Sequence, residues 1–244
     1  MLIKKRKIEV KTEIIVLTHN NIKVTKQFIE LIYKNTKDFG LVIADNFSTD
    51  GTREYLKSLS YKNFSLSFHN KNEGIVRGRN LAYSTSLQIS SNKYSEYVVF
   101  LDNDQFVKKD WLDSYLLLAD KGYDVIGKEA WQMKKDFYPF RRIQSLNENF
   151  NYVGCGGMMI KNEVIKYMGL FDERFSPFYF EDPDFCFRSD FGGFRIGWNS
   201  ANVIDHQKHN LTLSGERRKG FMKSWKKFKE KWKDYKMPIF NMRI

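Results

Sequence analysis

The sequence predicts an α/β protein built on a doubly wound, mainly parallel sheet, on three observations. Residues 13–18, 41–44 and 97–101 are short apolar runs without polar alternation, the pattern of strands buried on both faces of a parallel sheet. Between them lie segments of helical apolar spacing with short polar links, giving the order βαβαβαβ. Each run ends in a cluster of polar residues, and open α/β sheets bind ligands in the crevice beyond the strands' carboxyl ends.

The first run ends in Thr18-His-Asn20 and is followed by apolar positions Ile22, Phe28, Ile29, Ile32 and Tyr33, a helix for which Asn20 or Asn21 is the expected N-cap. The second ends in Asp45-Asn-Phe-Ser-Thr-Asp-Gly-Thr52 before a helix through Leu59. Residues 64–68 alternate apolar with Ser as a strand does, and a helix to about Leu87 follows Asn72-Glu-Gly74. The last run, 97–101, leads straight into Asp102-Asn-Asp104. If the chain stays extended there, residues i and i+2 share a face and the two carboxylates converge. Two such anions repel unless a cation joins them; oxygen ligands of this kind suit Mg²⁺ or Mn²⁺. Alone the pattern is weak: Asp-x-Asp recurs at Asp182 and Asp184, and ordinary turn chemistry explains any single polar exit.

The second half reads as an amphipathic helix over 110–120 and, over 128–149, a stretch without clear periodicity that contains Pro139 and Arg141-Arg142, either a variable segment of the site or an ordinary connecting loop. A glycine-rich strand follows over 151–160, then a short helix over 163–168 capped by Asn162 and closed by Gly169. The acidic stretch Glu181-Asp-Pro-Asp-Phe-Cys-Phe-Arg188 enters a helix with Pro183 in its first turn and Asp184 and Arg188 one turn apart. A short strand over 201–204 precedes His206. Finally Phe221, Trp225, Phe228, Trp232 and Tyr235 recur at intervals of four and three, an aromatic stripe on an otherwise lysine-covered helix.

The net charge of +12 is not spread evenly: residues 217–236 hold ten Lys and Arg against Glu230 and Asp234, net +8, and residues 1–11 hold five against Glu9, net +4. The stretch between is close to neutral. Three readings of the basic helix stand: packing by its aromatic stripe, docking on an anionic membrane surface, or gripping nucleic acid. Two cysteines, Cys155 and Cys186, give no disulfide framework, and no apolar run is long enough to cross a bilayer. The start, Met1-Leu-Ile-Lys-Lys-Arg-Lys, lacks the apolar region a signal peptide needs. A soluble cytoplasmic protein, at most peripheral at the inner face of the membrane, is the expectation. Neither a Gly-x-x-x-x-Gly-Lys-Ser/Thr loop nor a Gly-x-Gly-x-x-Gly after the first strand is present, which argues against P-loop and dinucleotide chemistry.

Taken in order, Ile14-Ile-Val-Leu-Thr-His-Asn20, Val42-Ile-Ala-Asp-Asn-Phe-Ser-Thr-Asp-Gly-Thr52, Asn72-Glu-Gly74 with Arg79-Asn80, Phe100-Leu-Asp-Asn-Asp104, Gly156-Gly-Met-Met-Ile160, Gly169-Leu-Phe-Asp-Glu-Arg-Phe175, the stretch 181–188 and Val203-Ile-Asp-His206 span most of the chain. Together they resemble the GT-A nucleotide-sugar glycosyltransferases, most closely the inverting family 2. The resemblance implies that Thr18 and Asp45 contact the donor's base or ribose, with Asn20, Asn46, Asn72, Gly74, Arg79 and Asp102 on the donor side. It further implies that Asp104, with Asp102 and His206, holds Mn²⁺ or Mg²⁺, His209 being the alternative imidazole. Asp182 is implied as the general base, with Glu181, Gly156 and Arg141 on the acceptor side. On that reading residues 1–109 form the donor half and 110–210 the acceptor half of one domain, and 211–244 a basic helix and tail. A uridine-diphosphate sugar is the expected donor and a glycan or lipid-linked saccharide the expected acceptor. A sugar transferase acting on DNA and a non-catalytic sugar-nucleotide binding module are the alternatives.

Overall fold

The structure, a computed structural model, describes residues 11–89, 95–207 and 215–242. The charged start and His209 lie outside the described residues.

Strands β1 (Thr12–Thr18), β2 (Phe39–Asp45) and β4 (Tyr97–Asp102) form the centre of a seven-stranded sheet, and nearly every residue in them is buried. The apolar runs are unbroken because helices cover both faces. β1 pairs in parallel with β2 and β4, and β2 with β3 (Phe64–Phe68). Helices α1 (Ile22–Asn35) and α2 (Thr52–Ser58) connect strands stepping one way; α3 (Gly74–Ile89) returns across the sheet to β4. Right-handed crossovers therefore set α3 on the opposite face from α1 and α2.

Beyond β4 the chain makes a short strand β5 (Gln105–Val107), helix α4 (Trp111–Asp120), β6 (Val125–Gly127), β7 (Ala130–Met133), β8 (Pro139–Arg142), β9 (Tyr152–Val153), β10 (Met158–Lys161) and helix α5 (Asn162–Met168). A single-turn 3-10 helix, Glu173–Phe175, then leads to α6 (Glu181–Phe191), β11 (Ile196–Trp198), β12 (Ile204–His206) and α7 (Gly215–Trp232). The large sheet runs β11-β6-β10-β4-β1-β2-β3, with β10 antiparallel to both its neighbours. Of the two readings of the stretch 128–149, an ordinary connecting loop does not hold. The stretch supplies β7 and β8, which with β9 form a separate three-stranded sheet. Strands of two to four residues leave no alternation to read.

Two expected caps also differ. Asn21 holds the N-cap position of α1 without a side-chain bond, and Asp50 from the next loop accepts the Ile22 N–H at 3.0 Å. Lys161, not Asn162, precedes α5; the Asn162 amide donates to the Ser95 carbonyl at 3.0 Å and accepts from the Tyr83 hydroxyl at 2.7 Å.

Helix α7 packs by its aromatic stripe, though not by all of it. Phe221, Phe228 and Trp232 are buried, and Trp225 is half-buried with its indole N–H on the Asp136 carbonyl. Tyr235 lies past the helix end and is exposed. Among the described residues no helix is long and apolar enough to cross a membrane. Cys155 and Cys186 are both free and buried.

Candidate active site

The parallel register lines up the strand ends: Thr18 lies opposite Asp45, Leu17 opposite Asp102, and Asp45 opposite Phe68. Asn46 fastens these exits to one another. Its Oδ1 accepts from the Glu73 N–H at 2.9 Å and bonds His69 Nδ1 at 3.1 Å, while its amide donates to Asn72 Oδ1 at 3.0 Å and the Gly74 carbonyl at 3.2 Å. Its carbonyl bonds His19 Nδ1 at 2.8 Å. Asn20 ties the first exit to the second, taking the Thr49 N–H on its side chain at 2.8 Å and giving its own N–H to Ser48 Oγ at 2.7 Å. Thr18 is buried, its hydroxyl 3.3 Å from that of Thr25.

Asp45 is fully buried; one oxygen takes the Arg53 Nε–H at 2.6 Å and the Ser48 N–H at 3.1 Å. Its other oxygen and His69 Nε2 are buried without a hydrogen-bond partner in the structure. Burial lowers the His69 pKa from its ordinary value, and its Nδ1 faces the Asn46 amide oxygen, which can only accept. Beside them Phe47 is 41% exposed with the Arg53 guanidinium 5.7 Å from its ring centre.

The Asp102–Asp104 stretch is not extended as expected, and a turn, not strand alternation, places its two carboxylates, both of which act on His206. Strand β4 ends at Asp102, and Asn103 and Asp104 turn into β5, so the alternation of an extended chain no longer applies. Asp102 accepts the Arg79 Nη2–H at 2.6 Å, while Asp104 lies 3.4 Å from His206 Nε2, brought there by pairing of β12 with β5. The Asp104 carboxylate raises the His206 pKa above its ordinary value. Among the described residues no group of three or more His, Cys, Asp or Glu side chains forms a finished metal cage. The donor set nevertheless fits a hard-to-borderline divalent ion, since carboxylate and imidazole ligands suit Mg²⁺ and Mn²⁺ and such ions commonly complete their shells with substrate phosphate.

Arg79 was expected along the nucleotide. It is only 3% exposed and lies beneath the site, with Nη1 2.7 Å from Cys155 Sγ and 3.8 Å from Glu181 Oε1. Burial works against its charge, but the Asp102 and Glu181 carboxylates more than offset that. Glu181, expected on the acceptor side, is likewise buried and turned towards Arg79. Gly156 backs the same carboxylate: a Cβ there would stand 3.0 Å from Asp102 Oδ2 and 2.8 Å from Gln105 Nε2. Arg141 sits on β8, paired with Glu148 at the surface.

Asp182 is half-buried near this wall. One of its oxygens lies 4.0 Å from where a Gly154 Cβ would be. Burial, and then the neighbouring Glu181, push its pKa well above the carboxylate range. A carboxyl group so placed is both reachable and basic.

The turn that delivers it is unusual. Tyr179 and Phe180 both adopt the left-handed region, with φ of 75° and 72°, a cost that bulky residues bear only when surroundings enforce it. Two sets of contacts do so. On one side the Pro177 carbonyl accepts the Ile75 and Val76 N–H groups at the start of α3, and Gly74 fits because a Cβ there would come within 2.7 Å of Pro177. On the other side α7 closes over the turn. Phe221 packs on Tyr179 and Phe180, Phe228 on Phe180, and Ser224 Oγ donates to the Phe178 carbonyl at 3.3 Å. Deeper in, Trp232 Nε1 donates to Asp184 Oδ1 at 3.0 Å, Lys231 reaches the same oxygen at 2.6 Å, and Arg188 holds Oδ2 at 2.9 Å. The expected Asp184–Arg188 pair is thus present.

The structure therefore brings together Asp102, Arg79, Glu181, Asp182 and Gly156, and Asp104 with His206, while Arg141 stays on a surface strand. His69, Gln105 and Cys155 were not foreseen. His69 had a legible signal, since it directly follows β3 at a polar strand exit; Gln105 and Cys155 had none apart from the fold.

This architecture is the GT-A fold of glycosyltransferases. The Glycosyl transferase family 2 profile matches residues 13–186, and the chain belongs to that family. An uncharacterized glycosyltransferase of Rickettsia felis is 29% identical over 126 residues, 51% of this chain and 20% of that protein; the match therefore spans about a fifth of that relative's length. Among solved structures, GalNAc-T7 with UDP, GalNAc and Mn²⁺ superposes with a TM-score of 0.73 at 13% identity, covering 94% of this chain and 49% of that one. The mannosyltransferase PcManGT from Pyrobaculum calidifontis, in complex with GDP-Man and Mn²⁺, gives 0.67 at 17% identity over 95% and 66%.

Proposed function

We propose that this protein transfers a sugar from a nucleotide-diphosphate donor to an acceptor hydroxyl with inversion, aided by Mn²⁺ or Mg²⁺. The observation that carries the reading is Asp182, a reachable carboxyl of raised pKa on the wall formed by Arg79, Glu181 and Asp102. Asp182 takes the proton of the acceptor hydroxyl as that oxygen bonds the anomeric carbon and the bond from that carbon to the diphosphate oxygen breaks, a role worth about 10²–10⁴-fold. The partnerless Asp45 oxygen and His69 Nε2 offer two buried acceptors to the hydroxyls or N–H groups of a nucleoside, and exposed Phe47 offers a flat face to its base. Thr18, Asn20, Asn46, Asn72 and Gly74 shape that donor side; Arg79 and Glu181 act by fixing Asp102. Asp104 and His206, with Asp102, would hold the cation, which supplies charge stabilisation to the leaving diphosphate.

Residues 1–109 then serve the donor and 110–210, with Gly156 and Arg141, the acceptor, a glycan or lipid-linked saccharide. The solved relatives carry UDP and GDP-Man, so a panel of uridine- and guanosine-diphosphate sugars is the direct test. Donor hydrolysis in Mn²⁺ that stops in chelator is the expected result. No turnover of any donor under either condition would leave a non-catalytic binding module as the better reading.

A further inference from the structure

The inner stripe of α7 holds the turn that carries Asp182, and its outer face is left with charge the fold does not use. Arg217, Arg218, Lys223, Lys226 and Lys229 are exposed, and among the described residues none of them lies within 4 Å of a carboxylate. Cations remote in sequence join them. Tyr138 packs on Phe221 and Trp225, and Trp225 bonds the Asp136 carbonyl, which brings the β7–β8 turn with Lys134 and Lys135 against the helix.

Apolar groups stand exposed among these charges: Phe140 at 58%, with Lys134 Nζ 5.9 Å from its ring centre, Tyr235 at 51% and Ile239 at 61%. Beside them opens a cavity of about 500 Å³ whose lining sets Lys135, Lys233 and the amides of Gln132, Asn149 and Asn151 against Met133, Phe150, Met237 and Ile239.

We propose that this face docks on an anionic lipid bilayer. Lysines and arginines would meet phosphate headgroups, Phe140, Tyr235 and Ile239 would enter the interfacial layer, and the cavity would take the phosphate and adjoining chain of one phospholipid. Mixed cationic and apolar exposure is the chemistry of interfacial binding. Nucleic acid would match the charge and could stack on aromatic rings, but exposed Ile239 and the Met133, Phe150 and Met237 side of the cavity suit an acyl chain, which a polyanion lacks.

Co-sedimentation of the full chain with vesicles tests this, and needs neither donor nor metal, so it stands or falls apart from the sugar-transfer reading. Binding to phosphatidylcholine–phosphatidylglycerol vesicles but not to phosphatidylcholine alone is expected, weakened by salt. Lys135→Glu with Lys233→Glu should lower partitioning about fivefold per unit of charge changed, and Tyr235→Ser with Ile239→Ser should weaken it further at high salt. Thermal melting checks that the variants are folded; the lipid and salt dependence of the parent protein needs no variant. No sedimentation, equal binding to neutral vesicles, unchanged binding by folded variants, or displacement from vesicles by an RNA or duplex DNA fragment would each overturn the proposal.

Discussion

The two sides of the proposed cleft are held in place by different means. The donor side is the row of strand ends in the parallel sheet, where register fixes the backbone and Asn46 ties the exits of β1, β2 and β3 through single hydrogen bonds. The side carrying Asp182 is a turn with two consecutive left-handed aromatic residues, kept in shape by the start of α3 and by α7 packed behind it. The first is preorganised by the fold itself; the second depends on an element more than forty residues later in the chain, Phe221 against Phe180. Arg79 is the link, touching Asp102 on one side and Glu181 on the other.

That contrast can be broken by substitution. The largest effect is expected from Asp104→Ala, which should abolish Mn²⁺-dependent donor binding in calorimetry while leaving the fold intact; donor binding that still responds to Mn²⁺ would remove Asp104 from the cation site. Arg79→Met should damage both sides at once. It leaves the Asp102 and Glu181 carboxylates without their cation, and breaking a buried pair costs about 3–5 kcal/mol, to be read from urea unfolding. A smaller effect should follow Trp232→Phe, which keeps the ring against Phe187 and Phe228 but loses the bond to Asp184. About 1.5 kcal/mol of stability should go with a hydrogen bond to a charged group, and kcat should fall while the donor KM holds. A changed donor KM with normal kcat would mean that α7 supports the donor side instead.

The same contrast governs what the sequence disclosed. Buried parallel strands advertise themselves, because a run such as Val98, Val99, Phe100 and Leu101 has no polar alternation, and the polar residues directly after such runs fall at the sheet's rim. On the Asp182 side the acidic stretch, the helix it enters, the Asp184–Arg188 pair and the aromatic stripe are visible, but nothing in Tyr179-Phe180 signals a left-handed backbone, which aromatic residues rarely adopt. Likewise the inward turn of Glu181 and the burial of Arg79 depend on the 3.8 Å approach of two segments a hundred residues apart. The strand runs only to Asp102, and Asn103-Asp104 form a turn, a difference the sequence could not announce because Asn and Asp suit a turn as well as a ligand pair.

The central claim is that Asp182 is the base of a sugar transfer whose donor is bound elsewhere. Asp182→Asn, assayed for both transfer and donor binding with the nucleotide sugar found in the donor panel, tests it most directly. Transfer should fall by about 10²–10⁴-fold with the donor dissociation constant nearly unchanged; full transfer activity in that variant would contradict the account.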